Sequence, residues 1–226
     1  TSGSGCVAVG YKALEAQTTG STNVAVGNQA LRQATTAQLN VAVGNDCMDA
    51  VTTSAFCVGV GRRALYRLTT GSNNVAVGQG CAQHVTTGQF NTAVGGDALQ
   101  QCTTASSNVA IGRVALANCT TGAGNVAVGK DSAVSNNGSN NVVVGTDAMQ
   151  AATSVNKCVV IGEQAMFTHT GTGDERNVMV GYGAGYAETT GYNNTFIGSN
   201  AGGSVTTGNH NTAVGFEAAN NNTTGS

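Results

Sequence analysis

A five-residue phrase, Asn-Val-Ala-Val-Gly, recurs along this chain at an almost constant spacing. It stands unaltered at residues 23–27, 40–44, 74–78 and 125–129. Variants begin at Cys6, Cys57, Asn91, Asn108, Asn141, Cys158, Asn177, Asn194 and Asn211, which makes thirteen copies in all. Consecutive copies are 17 residues apart, except for one step of 16 from Asn125 and one of 19 from Cys158. Self-similarity at a short fixed period is the mark of a solenoid, in which each unit stacks only on its neighbours. The whole of 6–226 reads as a single solenoid domain, with irregular coils at 125–140 and 158–176, and 1–5 as a lead-in or incomplete coil.

Within one coil the first five places alternate, and apolar places spaced i, i+2 argue for a strand rather than a helix. Val at place two and Val or Ile at place four share one face, which the pattern predicts to be the core. Asn, Ala and Gly at places one, three and five share the other. Gly closes the phrase in every copy, from Gly10 to Gly215, a regularity expected of a positive φ or a corner too tight for a Cβ. Ala-Leu or Ala-Met follows, as in Ala30-Leu31 and Ala148-Met149, and is predicted to plug the coil. Thr-Thr pairs such as Thr35-Thr36 and Thr69-Thr70 then predict a second short strand with one inner and one outer Thr. Stacking sets like over like, so the leading Asn residues predict an amide ladder along the axis.

Composition narrows the function. Charged residues are 9 % of the chain and its formal net charge is −2, so no basic stripe exists for nucleic acid. No apolar run approaches membrane-spanning length. His84, His169 and His210 occupy different places in separate coils, and no catalytic triad or metal-ligand cluster assembles from them. No cofactor and no enzymatic activity are expected. The near-match to a phosphate-binding loop at 124–131 ends in Asp131 and is explained by the repeat. Stacked Asp131 and Asp147 read as a solvated corner in preference to a cation site. The seven cysteines follow the repeat and read mainly as small buried fillers, with a Cys102–Cys119 bridge left open because both stand at place twelve of adjacent coils.

A flat uncharged face invites association. The third-place file, Ala8, Ala25, Ala42, Gly59, Ala76, Ala93, Ala110, Ala127, Val143, Val160, Met179 and Phe196, is therefore the expected oligomer interface. The longer corner of the 19-residue coil is unusually charged, and aromatics follow it. Insertions in solenoids map to surface loops, often on a working face. His169, Asp174, Glu175, Arg176, Tyr182, Tyr186 and Tyr192 are accordingly the candidate ligand-binding residues. The competing reading has the larger residues filling a widening oligomer core.

The phrase Asn-Val-Ala-Val-Gly-x-x-Ala-Leu, followed by Thr-Thr-Gly and a return to Asn, resembles the head repeat of trimeric autotransporter adhesins. Similar repeats of longer period occur in tail-fibre and spike proteins of phages and large DNA viruses. The resemblance covers nearly the whole chain. It implies a left-handed parallel β-roll and a side-by-side homotrimer. It also implies attachment to a host-surface glycan or protein, on a virion fibre or at the cell surface, with further fibre or virion components abutting the uncapped ends. The family's own repeat is about three residues shorter, so corner geometry differs. Ice binding through Thr files is the alternative function, weakened because adjacent Thr residues put only one outward hydroxyl on each coil. A polysaccharide-active solenoid enzyme ranks third, for want of a concentrated acid or histidine site.

Overall fold

The computed structural model describes residues 3–224. The chain is an all-β parallel solenoid of 17-residue turns without a helix among the described residues, in two compact units, Thr1–Asn108 and Val109–Ser226. The first unit holds β1 (Val7–Val9), β2 (Val24–Val26), β3 (Val41–Val43), β4 (Val58–Val60), β5 (Val75–Val77) and β6 (Thr92–Val94). Each pairs in parallel with the next so that residue i lies beside i+17, as in Val24↔Val41 and Val75↔Thr92.

The second unit continues the pattern with β7 (Val109–Ile111), β8 (Val126–Val128), β9 (Val142–Val144), β10 (Ser154–Asn156), β11 (Val159–Ile161), β12 (Thr172–Asp174), β13 (Val178–Val180), β14 (Thr195–Ile197) and β15 (Thr212–Val214). Strand register survives both irregular coils: Val126 pairs with Val142, and Val159 with Val178. The short coil is bridged by the Asn136 side chain. Its Oδ1 accepts from the Gly138 and Val155 N–H groups at 2.9 Å each. The long coil spends its extra residues on a separate parallel pair, β10 with β12.

The strand alternation points opposite to expectation. Ala25, Ala42, Ala76, Ala93, Ala110 and Ala127 are fully buried inside the coil, as are Val160, Met179 and Phe196. The valines at place four face out: Val43, Val60, Val77 and Val94 are 36–37 % exposed. Volume explains the inversion. The space inside a coil is shared between place three and places eight and nine: a Cβ added at Gly59 would sit 2.8 Å from Cys47 Sγ and 3.2 Å from Met48 Cγ. Where place three grows to Met179 or Phe196, place nine shrinks to Gly185 or Gly202. A Cβ at Gly185 would lie 2.7 Å from Met179 Sδ, and one at Gly202 would overlap the Phe196 ring. The enlarged residues fill the coil's own core and not an oligomer axis.

The Asn ladder runs through that interior. Asn40 Oδ1 accepts the Cys57 N–H at 3.0 Å, while Asn40 Nδ2 donates to Ser54 O at 2.9 Å and to Asn23 Oδ1 at 3.3 Å. Asn91 bonds Asn74 and Ala105 in the same way. Burial is tolerable because both ends of the amide are satisfied. Cys57 and Cys158 do more than fill space: each Sγ accepts the N–H of the next Asn, at 3.5 and 3.3 Å.

Glycine at place five takes φ between +128° and +144°, and a Cβ on Gly44 would meet Gly61 O at 2.5 Å. Positive φ and close stacking act together there. Outside the β10–β12 pair, the second strand predicted at the Thr pairs does not form among the described residues. Beyond place five the backbone turns, with left-handed residues at places seven and nine such as Gln29 (φ 55°) and Leu31 (φ 50°). Their N–H groups still bond neighbouring coils, Gln29 N to Tyr11 O at 2.8 Å and Leu31 N to Cys47 O at 3.0 Å. Alternating φ signs aim successive N–H groups up and down the axis, so backbone pairing persists without strand geometry. The first Thr of most pairs donates its hydroxyl to the next coil's Thr carbonyl, Thr35 to Thr52 O and Thr52 to Thr69 O at 3.1 Å each, whereas Thr120 bonds Asn137 Oδ1 at 2.8 Å. The second Thr is exposed.

Candidate functional site

The irregular coil distributes the candidate binding residues into three settings. His169 and Glu175 turn inward, at 0 % and 6 % exposure, and are not available to a surface ligand. The cause is again the repeat: His169 occupies place twelve, whose other occupants, Val51, Leu68 and Val85 among them, are core residues. Asp174 and Arg176 remain outside. Asp174 Oδ2 pairs with Lys157 Nζ and lies 3.3 Å from Arg176 Nη2, and the two cations hold its carboxyl below the usual carboxylate range. That small charged cluster sits beside the β10–β12 pair, where Asn156 faces Asp174.

The tyrosines are exposed but do not gather at one point. Tyr182 and Tyr186 follow β13 at places six and ten, and Tyr186 stacks on Phe167 of the preceding coil with centroids 5.3 Å apart. Tyr192 stands on the return segment and meets the edge of His210 at 5.2 Å. One aromatic stack and one charged corner are therefore presented on different segments of the second unit.

Beneath the charged corner lies an unforeseen buried cluster. Glu188 is fully buried in the coil after His169. Its Oε1 accepts from Asn194 Nδ2 at 2.6 Å and its Oε2 from Asn177 Nδ2 at 3.3 Å. His169 Nδ1 is 3.8 Å from Glu188 Oε2, and neither ring nitrogen makes a hydrogen bond. Gly171 passes between His169 Nε2 and Glu175 Oε1. Burial pushes the Glu188 carboxyl up to about 8, helped by Glu175, while burial lowers His169 to about 4. Both are neutral at neutral pH, so the cluster is a polar core and not an ion pair. Its sequence signal is the register itself: His169 and Glu188 share place twelve of consecutive coils.

Cysteine chemistry is muted. Burial pushes the Cys47, Cys81 and Cys158 thiols up to about 12. Cys102 and Cys119 are fully buried, one in each unit. At the stacked acids, Asp131 is occupied by Lys130 Nζ at 2.6 Å and Arg113 Nη2 at 3.4 Å. No group of three His, Cys, Asp or Glu side chains among the described residues is arranged to hold a metal ion.

The outward strand face is an apolar surface. In the first unit the place-four residues Val43, Val60, Val77 and Val94 form an uncharged file, flanked by half-buried Val41, Val58, Val75 and Thr92. In the second unit Ile111, Ile161 and Ile197 are 38–40 % exposed at the same place. Fold and surface together define the class: a parallel β-solenoid repeat protein with an open apolar sheet face. No family model, curated protein or solved structure matches the chain.

Proposed function

We propose that this protein is a non-catalytic structural segment of an attachment fibre, assembled as a homotrimer. The observation that carries the reading is the exposed Val/Ile file. It is flat, free of charge, and repeats in register from coil to coil. Such a strip left in water favours association, and burying it against sister copies removes apolar area at about 25 cal/mol per Å². Apart from exposed Ala8, the Ala file first expected at the interface is already buried within each chain, so its role passes to the valines. The resemblance to adhesin head and viral tail-fibre repeats supports threefold assembly and attachment to a host or cell surface. Exposed Tyr182, Tyr186 and Tyr192, with Asp174 and Arg176, offer aromatic and charged contacts for such a surface. Ice binding is the weaker reading, because in most pairs the first Thr hydroxyl is spent on a backbone carbonyl, which leaves a single outward hydroxyl per coil.

Sedimentation equilibrium at micromolar concentration tests the assembly. A particle of three chain masses is expected, and Val60→Lys with Val77→Lys is expected to yield folded monomers. A wild-type monomer refutes the proposal.

A further inference from the structure

Three coils of the first unit frame a recess of about 300 Å³ lined by Arg62, Arg63, Gln79, Gly80, Gln83, Asp97 and Gln100. Its origin is a single missing side chain. Place seven carries Gln29, Asp46, Arg63 and Asp97 in neighbouring coils, but Gly80 in the coil between Arg63 and Asp97. A Cβ on Gly80 would overlap Asp97 Oδ1 and lie 3.4 Å from Gln83 Oε1. The hollow is therefore floored by backbone and walled by polar groups from the coils on either side.

Those groups are poorly matched to one another. The Arg62 side chain makes no ion pair or hydrogen bond among the described residues. Arg63 Nε is buried without a hydrogen bond, its nearest carboxylate oxygen being Asp46 Oδ2 at 3.6 Å. Asp97 has no cationic partner and accepts only from Gln100 Nε2, at 2.7 Å. By contrast, Arg32 and Asp49 on the same corner of earlier coils close a bidentate pair at 2.7 and 3.0 Å. The unpaired Arg62 guanidinium, the Arg63 guanidinium held loosely by Asp46 and lying 5.6 Å from the Tyr66 ring, the Asp97 carboxylate with its one Gln100 donor, and three primary amides thus face one small hollow lined by no apolar side chain.

We infer that this recess binds a carboxylate-bearing sugar, a hexuronate or a sialate at the end of a glycan chain. Guanidinium forks match a carboxylate in two parallel hydrogen bonds. Asp97 accepts from ring hydroxyls, and the amides of Gln79, Gln83 and Gln100 both donate and accept, as vicinal hydroxyls require. With Asp46 against Arg63 and Asp97 in the wall, the two arginines leave little surplus positive charge, which suits a singly charged ligand better than a doubly charged phosphate. The absence of any apolar wall disfavours an amino-acid zwitterion, whose side chain would find no contact. The volume lies at the small end of the range of about 300–1,000 Å³ typical of ligand sites. This site is independent of the assembly proposed above, since the recess is complete within one chain.

Calorimetric titration of the full chain tests it, with glucuronate-terminated, sialate-terminated and neutral glucose tetrasaccharides as probes. At least one acidic probe is expected to saturate, and the neutral one to bind at least about tenfold more weakly. Gly80→Gln fills the hollow with the residue that the repeat itself carries at position 29, where the backbone is left-handed in the same way (φ 55° against 63°). It is expected to abolish binding with the circular dichroism unchanged. Arg62→Gln, at an exposed and unpaired position, is expected to weaken binding about tenfold or more. Equal binding of acidic and neutral probes, no binding of either acid, or binding that survives Gly80→Gln overturns the inference.

Discussion

At residue scale the most consequential side chains are the buried polar ones, because each is held by a partner in the next coil. The place-one amides are satisfied twice over, and their continuity makes a polar spine inside an otherwise small-residue core. His169 and Glu188 interrupt that order with two titratable groups. Glu188, raised from 4.5 to about 8, adds stability that is complete below pH 4.5 and is lost as pH rises towards 8. Glu175 is raised as well and acts in the same direction. His169, lowered from 6.5 to about 4, adds stability that is complete above pH 6.5 and is lost as pH falls towards 4. Between pH 4.5 and 6.5 the His169 and Glu188 slopes oppose each other. Urea unfolding followed across pH is expected to show a plateau there, then a fall of about 1.5 kcal/mol from pH 6.5 to about 9. Glu188→Gln removes most of the alkaline fall. An unchanged slope in that variant refutes the assignment to Glu188.

At the scale of the element, a three-residue strand holds its register because the places behind it are matched in volume. The exchange between places three and nine is the plainest case. In the coil beginning at Asn194, Phe196 and Gly202 replace the Ala and Leu that stand at those places in the coil beginning at Asn23 (Ala25 and Leu31). Gly202→Leu alone overfills the coil and is expected to destabilise by about 1–3 kcal/mol or more. Phe196→Ala alone leaves a cavity and is expected to cost about 3–5 kcal/mol. Together they restore the common Ala/Leu coil, so the double variant is expected to regain most of the loss. A double-mutant cycle in denaturant measures it, and simple additivity of the two losses excludes a shared core site. The same pairing was readable beforehand: Met179 with Gly185 and Phe196 with Gly202 vary together along one chain. The absence of a second strand at the Thr pairs was not readable. β-branched Thr pairs favour extended chain, but left-handed turn residues satisfy the same intercoil hydrogen bonds.

For the whole molecule, the governing quantity is the period, since within each unit a coil is held by its neighbours. Removing one complete coil, residues 74–90, rejoins Asn73 to Asn91 with the phase intact. Circular dichroism and limited proteolysis are expected to show a folded protein one turn shorter. Removing about half a coil leaves one turn too short to close and sets turn residues where strand residues belong, and is expected to expose the first unit to protease. Equal tolerance of both deletions contradicts a register-locked solenoid. The amino-acid sequence alone determined the period, the strand positions, the glycine corners and the Asn ladder, because each follows from residues recurring at fixed intervals. Only the tertiary structure decided which strand face turns inward and that His169 and Glu175 are core residues. A period-two alternation is symmetric between its faces, and the choice is made by the volume left when seventeen residues close into one coil.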